Sequence, residues 1–284
     1  MRVRTLRQPM SHKSTIPLLN HSLHRPSAFS PDSLIAAVRE ERGLKANSVP
    51  AVCVLEFDGD LTDWLVEQKL AAPCLAWACF HTTMFELEVD GTRCGVIPRT
   101  IGGPYAVLIA EQLFASGARV VLGLTTAGRV QPSLAVPALV VATNAVRDEV
   151  TSYHYLEPAP TVDAPAEPVE FLVRELSQLD LPVMPGQVWT TDAPYRETEQ
   201  QLNRHARDGV LAVEMQAASL FAFAEARRAT VGVVAHVTNA ADLEGEDFNK
   251  GSQEDGLRLL QAVCRAGLHC LEVEGCAYRK FHPY

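Results

Sequence analysis

Short apolar runs alternate with longer amphipathic stretches along most of the chain, and turn residues punctuate the boundaries. Ser30-Pro31-Asp32 is a helix start: Ser accepts from an orphan N–H, and Pro in the first turn needs no donor. Leu34–Val38 supply that helix with an apolar face, and Gly43 ends it. Residues 51–57 read as a buried strand, followed by the turn Asp58-Gly59-Asp60 and an amphipathic helix over 61–70. Residues 75–80 read as a further strand. Phe85–Val89 and 92–97 flank Asp90-Gly91, a two-residue hairpin turn. Gly102-Gly103-Pro104 opens a helix over 105–116, closed by Gly117. A buried strand over 119–124 then runs into Thr125-Thr126-Ala127-Gly128. Further strands are predicted at 136–142, 187–191, 210–213 and 231–237. The four prolines of 158–168 predict a loop. Helices are predicted at 171–179, 195–207, 215–227 and Gln253–Glu272. Strand–helix alternation without internal repeats predicts a single α/β domain, with helices on both sides of a mixed central sheet in three layers.

Composition narrows the class. The chain has 284 residues, enough for two average domains or one large α/β domain. Apolar residues make up 47% and charged ones 21%, ordinary for a globular protein. With 25 basic and 34 acidic residues the net charge is −9, which argues against nucleic acid as a partner. No apolar run reaches the length of about eighteen residues that a membrane helix needs. The first 31 residues carry Arg2, Arg4, Arg7, Lys13 and Arg25 and no acid, so the remainder carries −14. Residues 1–29 therefore read as a flexible arm ahead of a domain spanning 30–284; the other readings are a targeting segment or a start upstream of Met10. Seven cysteines lack metal-site spacing, and three of them sit in apolar stretches, which fits a reducing, cytoplasmic compartment.

No metal cluster, Walker loop, Gly-x-Ser-x-Gly elbow or dinucleotide fingerprint is present, so neither a cofactor nor a metal is expected. What stands out is a set of polar residues at predicted strand ends: Thr125 and Thr126, Thr190-Thr191-Asp192, Glu214, and His236 with Thr238 and Asn239. The carboxyl ends of strands in an open α/β sheet are where ligands bind, and polar groups converging there from distant segments mark a candidate site. Taken singly, each residue could instead cap its own loop.

Ile101–Tyr105 with Thr125-Thr126-Ala127-Gly128-Arg129-Val130-Gln131-Pro132 resembles the purine and uridine phosphorylase superfamily. Gly209–Ala218, containing Glu214-Met215-Gln216, is similar to that family's Glu-Met-Glu signature. Thr190–Thr198 is similar to its base-facing segment, and Val237-Thr238-Asn239 falls where the family has Val-Ser-Asp or a variant. Order and spacing agree from about residue 50 to 270. The resemblance implies a nucleoside phosphorylase-like fold and a pentosyltransferase activity. In that activity the N-glycosidic bond of a nucleoside is cleaved through an oxocarbenium-like cation and phosphate gives ribose 1-phosphate. It also implies a homo-oligomer. By position it assigns Thr126 to ribose and phosphate, Met215 and Gln216 to ribose, and Tyr195, Arg196 and Thr125 to the base. Asn239 and Glu214 fall at catalytic positions. Arg99 and Arg129 are candidates for phosphate.

The departures from the family pattern are specific. The phosphate loop reads Gly59-Asp60-Leu61-Thr62-Asp63, with an acid where an arginine is expected. Gly123 and Phe80 stand at two further arginine positions. Each lost contact is worth about 1.5–3 kcal/mol when formed. Gln216 replaces an acid, and Asn239 replaces an Asp and cannot supply a proton, which tilts the base toward a pyrimidine type. Two rival functions follow: a phosphate-independent nucleoside hydrolase, and a non-catalytic nucleoside-binding or storage-like protein. His154 is a further candidate ligand contact, whereas His236, in an apolar strand, reads as core.

Overall fold

The protein is seen in a computed structural model that describes residues 16–20, 22–45, 47–241 and 249–273. Of the arm expected over 1–29, residues 1–15 and 21 lie outside this set, as does Cys276. The chain enters helix α1 (Pro31–Arg42) through Ser30, whose hydroxyl accepts from the Ser33 N–H, and leaves it at Gly43 in the left-handed region. There follow β1 (Val52–Glu56), α2 (Asp60–Glu67), β2 (Ala71–Pro73), β3 (Phe85–Val89), β4 (Thr92–Pro98) and α3 (Gly103–Ala115). Then come β5 (Val120–Arg129), β6 (Ala138–Asp148), β7 (Thr161–Asp163), α4 (Ala166–Leu176) and β8 (Val183–Thr191). The last elements are α5 (Glu199–Arg207), β9 (Ala212–Glu214), α6 (Ala217–Arg227), β10 (Thr230–Ala240) and α7 (Gln253–Glu272).

The strand sides alternate between two cores. Cys53, Leu55 and Val121 face the layer built by α3 and α6, where Ile109, Leu113, Phe221 and Phe223 are buried. Val52, Val54 and Leu122 face the layer of α2, α4 and α7, with Leu65, Leu172, Leu260 and Val263. This is the mixed, three-layer α/β arrangement expected, with one addition. Strand β5 pairs with β1 and β10 in parallel and with β9 at its end, while β10 pairs with β6, β6 with β8 and β8 with β9. Five strands thus close into a ring, and β1, β4, β3 and β2 continue outward from it.

Three local expectations are corrected. Residues 75–80 form no strand; the edge strand is Ala71–Pro73, after which the chain turns, with the Trp77 N–H bonded to the Cys74 carbonyl, to bury Trp77 and Cys79. The helix expected over 195–207 is broken: Pro194–Arg196 form a single 3-10 turn, and Thr198 starts α5 afresh through a capping box with Gln201. The loop expected over 158–168 contains β7, which pairs with β6, and the first turn of α4.

Candidate active site

Residues from the last positions of β5, β8, β9 and β10 line one cavity. A bulge in β10 between Val237 and Asn239 turns Asn239 opposite Gly128 of β5 there, the kind of irregularity that re-aims a side chain. The strand ends enclose a cavity of about 640 Å³ whose lining includes Asp58, Thr126, Glu197, Glu214, Met215 and Asn239. Tyr195, 99% exposed, stands at its mouth. Five of the residues predicted from sequence are therefore brought together: Thr126, Tyr195, Glu214, Met215 and Asn239.

A smaller cavity of about 310 Å³ adjoins it, sharing Asp58, Thr126 and Lys250, and is completed by Glu56, Asp60, Thr125 and His236. Here the turn after β1 is built on a buried acid. The Glu56 carboxylate accepts from the Gly59 N–H at 2.7 Å, the Thr62 N–H at 3.3 Å and the Thr62 hydroxyl at 2.5 Å. Burial nevertheless raises its pKa. Gly59 has φ +92, and a Cβ there would lie 2.6 Å from Arg99 Cγ, so the turn and the Arg99 side chain demand glycine. Asp58 accepts from the Thr126 hydroxyl at 3.2 Å and from Lys250 Nζ at 2.9 Å, and Lys250 also reaches Asp60 at 3.4 Å. His236 is buried on the wall of this cavity, and its burial lowers its pKa and favours the neutral ring.

Glu214 is buried but occupied. It accepts from the Thr190 hydroxyl at 2.5 Å and from the N–H groups of Gln216 and Ala217 at 2.6 and 2.9 Å. It thus caps the first orphan donors of α6 and fixes the turn that carries Met215. Burial, opposed by these bonds, raises its pKa to about 7. Asn239 accepts from the Thr238 hydroxyl at 2.8 Å and donates to the Ala240 carbonyl at 2.6 Å, so both ends of its amide are held within its own strand.

The remaining predicted residues lie elsewhere. Gln216 is fully buried outside the cavity lining; both its amide atoms lack a partner, and its Nε2 lies 3.5 Å from where a Gly123 Cβ would be. Thr125 lines the smaller cavity and donates to the Thr126 carbonyl. Arg196 is exposed on the 3-10 turn, outside the lining of both cavities. Arg99 makes a two-pronged ion pair with Asp63, Nη1 lying 3.2 Å from Oδ1. Arg129 lines a separate cavity of about 650 Å³ on the far side of Pro194, Glu197 and Ala241. His154 ends a 3-10 turn, Thr151–His154, and lines neither of the first two cavities.

Sequence reasoning passed over Asp58, Glu197 and Lys250 as site residues and favoured a core role for His236. The signal for Asp58 was its place directly after a buried strand. Lys250 lies in no recognisable pattern, since only folding returns it to the end of β1. Among the described residues no group of His, Cys, Asp or Glu is arranged to hold a metal, and no helix is long and apolar enough to cross a membrane.

The family described as the phosphorylase superfamily matches residues 51–269. A guanosine phosphorylase of Halorubrum lacusprofundi is 31% identical over 189 residues, 64% of this chain and 77% of that protein. A DeoD-type purine nucleoside phosphorylase of Exiguobacterium sibiricum is 29% identical over 49% of this chain and 57% of its own length. A uridine phosphorylase of Escherichia coli is 27% identical over 55% of this chain and 67% of its own length.

Proposed function

The chain belongs to the phosphorylase superfamily, and on that premise we propose that it cleaves the N-glycosidic bond of a nucleoside, transferring the pentosyl group to phosphate. One observation carries this reading: Thr126, Glu214, Met215 and Asn239, from segments far apart in sequence, line one cavity with room for a nucleoside. The Thr126 hydroxyl can bond the sugar or the attacking oxygen, and the Met215 thioether offers an apolar, polarisable wall. The catalytic contribution of such a site is preorganised polar groups around a developing C1′ cation. The amide of Asn239 accepts once and donates once within its strand, and its second N–H and second lone pair can serve a purine as well as a pyrimidine. Relatives named for guanosine, purine nucleosides and uridine support both classes. A homo-oligomer is part of the proposal, supported by the exposed apolar side chains of Leu75, Phe80, Ile101 and Leu108.

A second reading, attack by water, has its own observation. Arg99 is taken up by Asp63, and Lys250 by Asp58 and Asp60. Four carboxylates, Glu56, Asp58, Asp60 and Asp63, against two cations at the end of β1 disfavour a phosphate dianion. Incubating a panel of purine and pyrimidine nucleosides with and without phosphate, and identifying the sugar product, decides between them. Ribose 1-phosphate formed only with phosphate is the expected result. Free ribose regardless of phosphate establishes the hydrolase, and saturable binding without turnover defeats both.

A further inference from the structure

A leaving base departs more easily if it takes up a proton as its bond to the sugar breaks. The site's ionisable groups can be sorted by what already holds them. Asp58 receives Thr126 and Lys250, and Glu214 receives Thr190 and the start of α6. Asn239 has no proton to give. Glu197 is different: it is half-buried, it lines the cavity, and among the described residues its carboxyl has no hydrogen-bond or ion-pair partner.

Its position matters as much as its freedom. The Asp58–Thr126–Lys250 cluster forms the wall shared with the smaller cavity, where polar groups gather. Glu197, Pro194 and Ala241 also line the cavity beyond, which shares no residue with the smaller one. A planar heterocycle belongs against Pro194 and Ala241, and a sugar with its attacking oxygen against Thr126, Asp58 and Met215. That places Glu197 beside the base. Resting on the reading of the cavity as a nucleoside-cleaving site, we propose that Glu197 is the general acid for a purine leaving group.

The step balances without a further reactant. As the C1′–N9 bond breaks, its electron pair passes into the base and the Glu197 O–H proton goes to N7. The attacking phosphate or water oxygen supplies the new pair at C1′, a water nucleophile losing one proton to solvent, the base leaves neutral, and the Glu197 carboxylate regains a proton from solvent. Burial alone pushes the Glu197 carboxyl up to about 7, so a large fraction still holds its proton near neutrality, where a general acid is most effective.

The test uses the full chain and two purine nucleosides that differ only in their need for a proton. Guanosine needs one at N7, while 7-methylguanosine already carries a positive charge there. Glu197→Gln should lower kcat/KM for guanosine by about 100-fold, within the range for general acids, and leave 7-methylguanosine within about twofold of the parent. The second substrate also reports that the variant is folded. Equal losses on both substrates, or none on guanosine, overturn the proposal. Cleavage of pyrimidine nucleosides alone by the unaltered protein overturns this proposal and leaves the function standing, whereas turnover of no nucleoside at all sinks both.

Discussion

Gln216 shows how much one side chain can carry at the residue scale. Its amide is buried against Gly123 with neither end bonded, which costs about 1–3 kcal/mol. Gln216→Met, similar in volume and without the amide, should raise stability by about 1 kcal/mol in urea unfolding. Gln216→Glu should lower it, because a charge replaces a neutral group in the same site. Glu214 yields a prediction about pH. Its folded-state pKa of about 7 lies above the ordinary 4.5, so the folded protein binds the extra proton in that interval. Stability contributed by the protonated form is complete below about pH 4.5 and is lost as pH rises through about 7, amounting to about 3 kcal/mol. Thermal unfolding followed from pH 5 to 8 should show this decline, and Glu214→Gln should reduce it, leaving the share that Glu197 contributes over the same range. Lys250 and Thr126 share Asp58 as a partner. If phosphate is the acceptor, Lys250→Met should raise the KM for phosphate by about tenfold, the equivalent of one charged contact, and change the KM for nucleoside far less. A KM for nucleoside that rises as much would place Lys250 on the other substrate.

Close approaches and caps govern the element scale. Helices α3 and α6 meet where Gly103 faces Ser219: a Cβ on Gly103 would lie 2.0 Å from Ser219 Oγ and 2.8 Å from its Cβ. The Ser219 hydroxyl cannot swing away freely, because it donates to Glu149 at 2.5 Å. Gly103→Ala should therefore cost about 1–3 kcal/mol of stability, as overpacking does, measured as a shift in denaturant midpoint at constant slope. The same helix start was legible in the sequence as Gly-Gly-Pro, and the hairpin was legible as Asp90-Gly91, both of which adopt positive φ. Helix α7 was legible to the residue because Ser252 and Asp255 form a capping box at its start. What escaped was the break at Thr198. A polar run can hide a second helix start, and the 3-10 turn it leaves behind is what brings Glu197 to the cavity.

Across the whole molecule, ring closure joins strands from residue 120 to residue 240, so neither half of the chain owns a complete core. The three tryptophans sample three different places: Trp64 packs beside the α7 layer, Trp77 lies in the α3–α6 layer, and Trp189 lies in the small cluster with Val130 and Val210. Tryptophan fluorescence and far-UV circular dichroism should report coincident, single unfolding transitions. Separate transitions would show that the strands outside the ring unfold on their own.

By itself the sequence determined the α/β class, most element boundaries and the family resemblance, because periodicity, caps and turn residues act within a few positions of one another. The resemblance also implied that Asp63, Gly123 and Phe80 stand at arginine positions of the family. Tertiary structure alone decided which charged groups meet. Arg99 is held by Asp63, 36 residues away, and Lys250 by Asp58 and Asp60 across some 190 residues. It likewise decided that Gln216 is buried outside the cavity lining and that Glu197 faces the cavity with no partner among the described residues. Pairing across such separations depends on where strand ends arrive in space, and no local pattern encodes it.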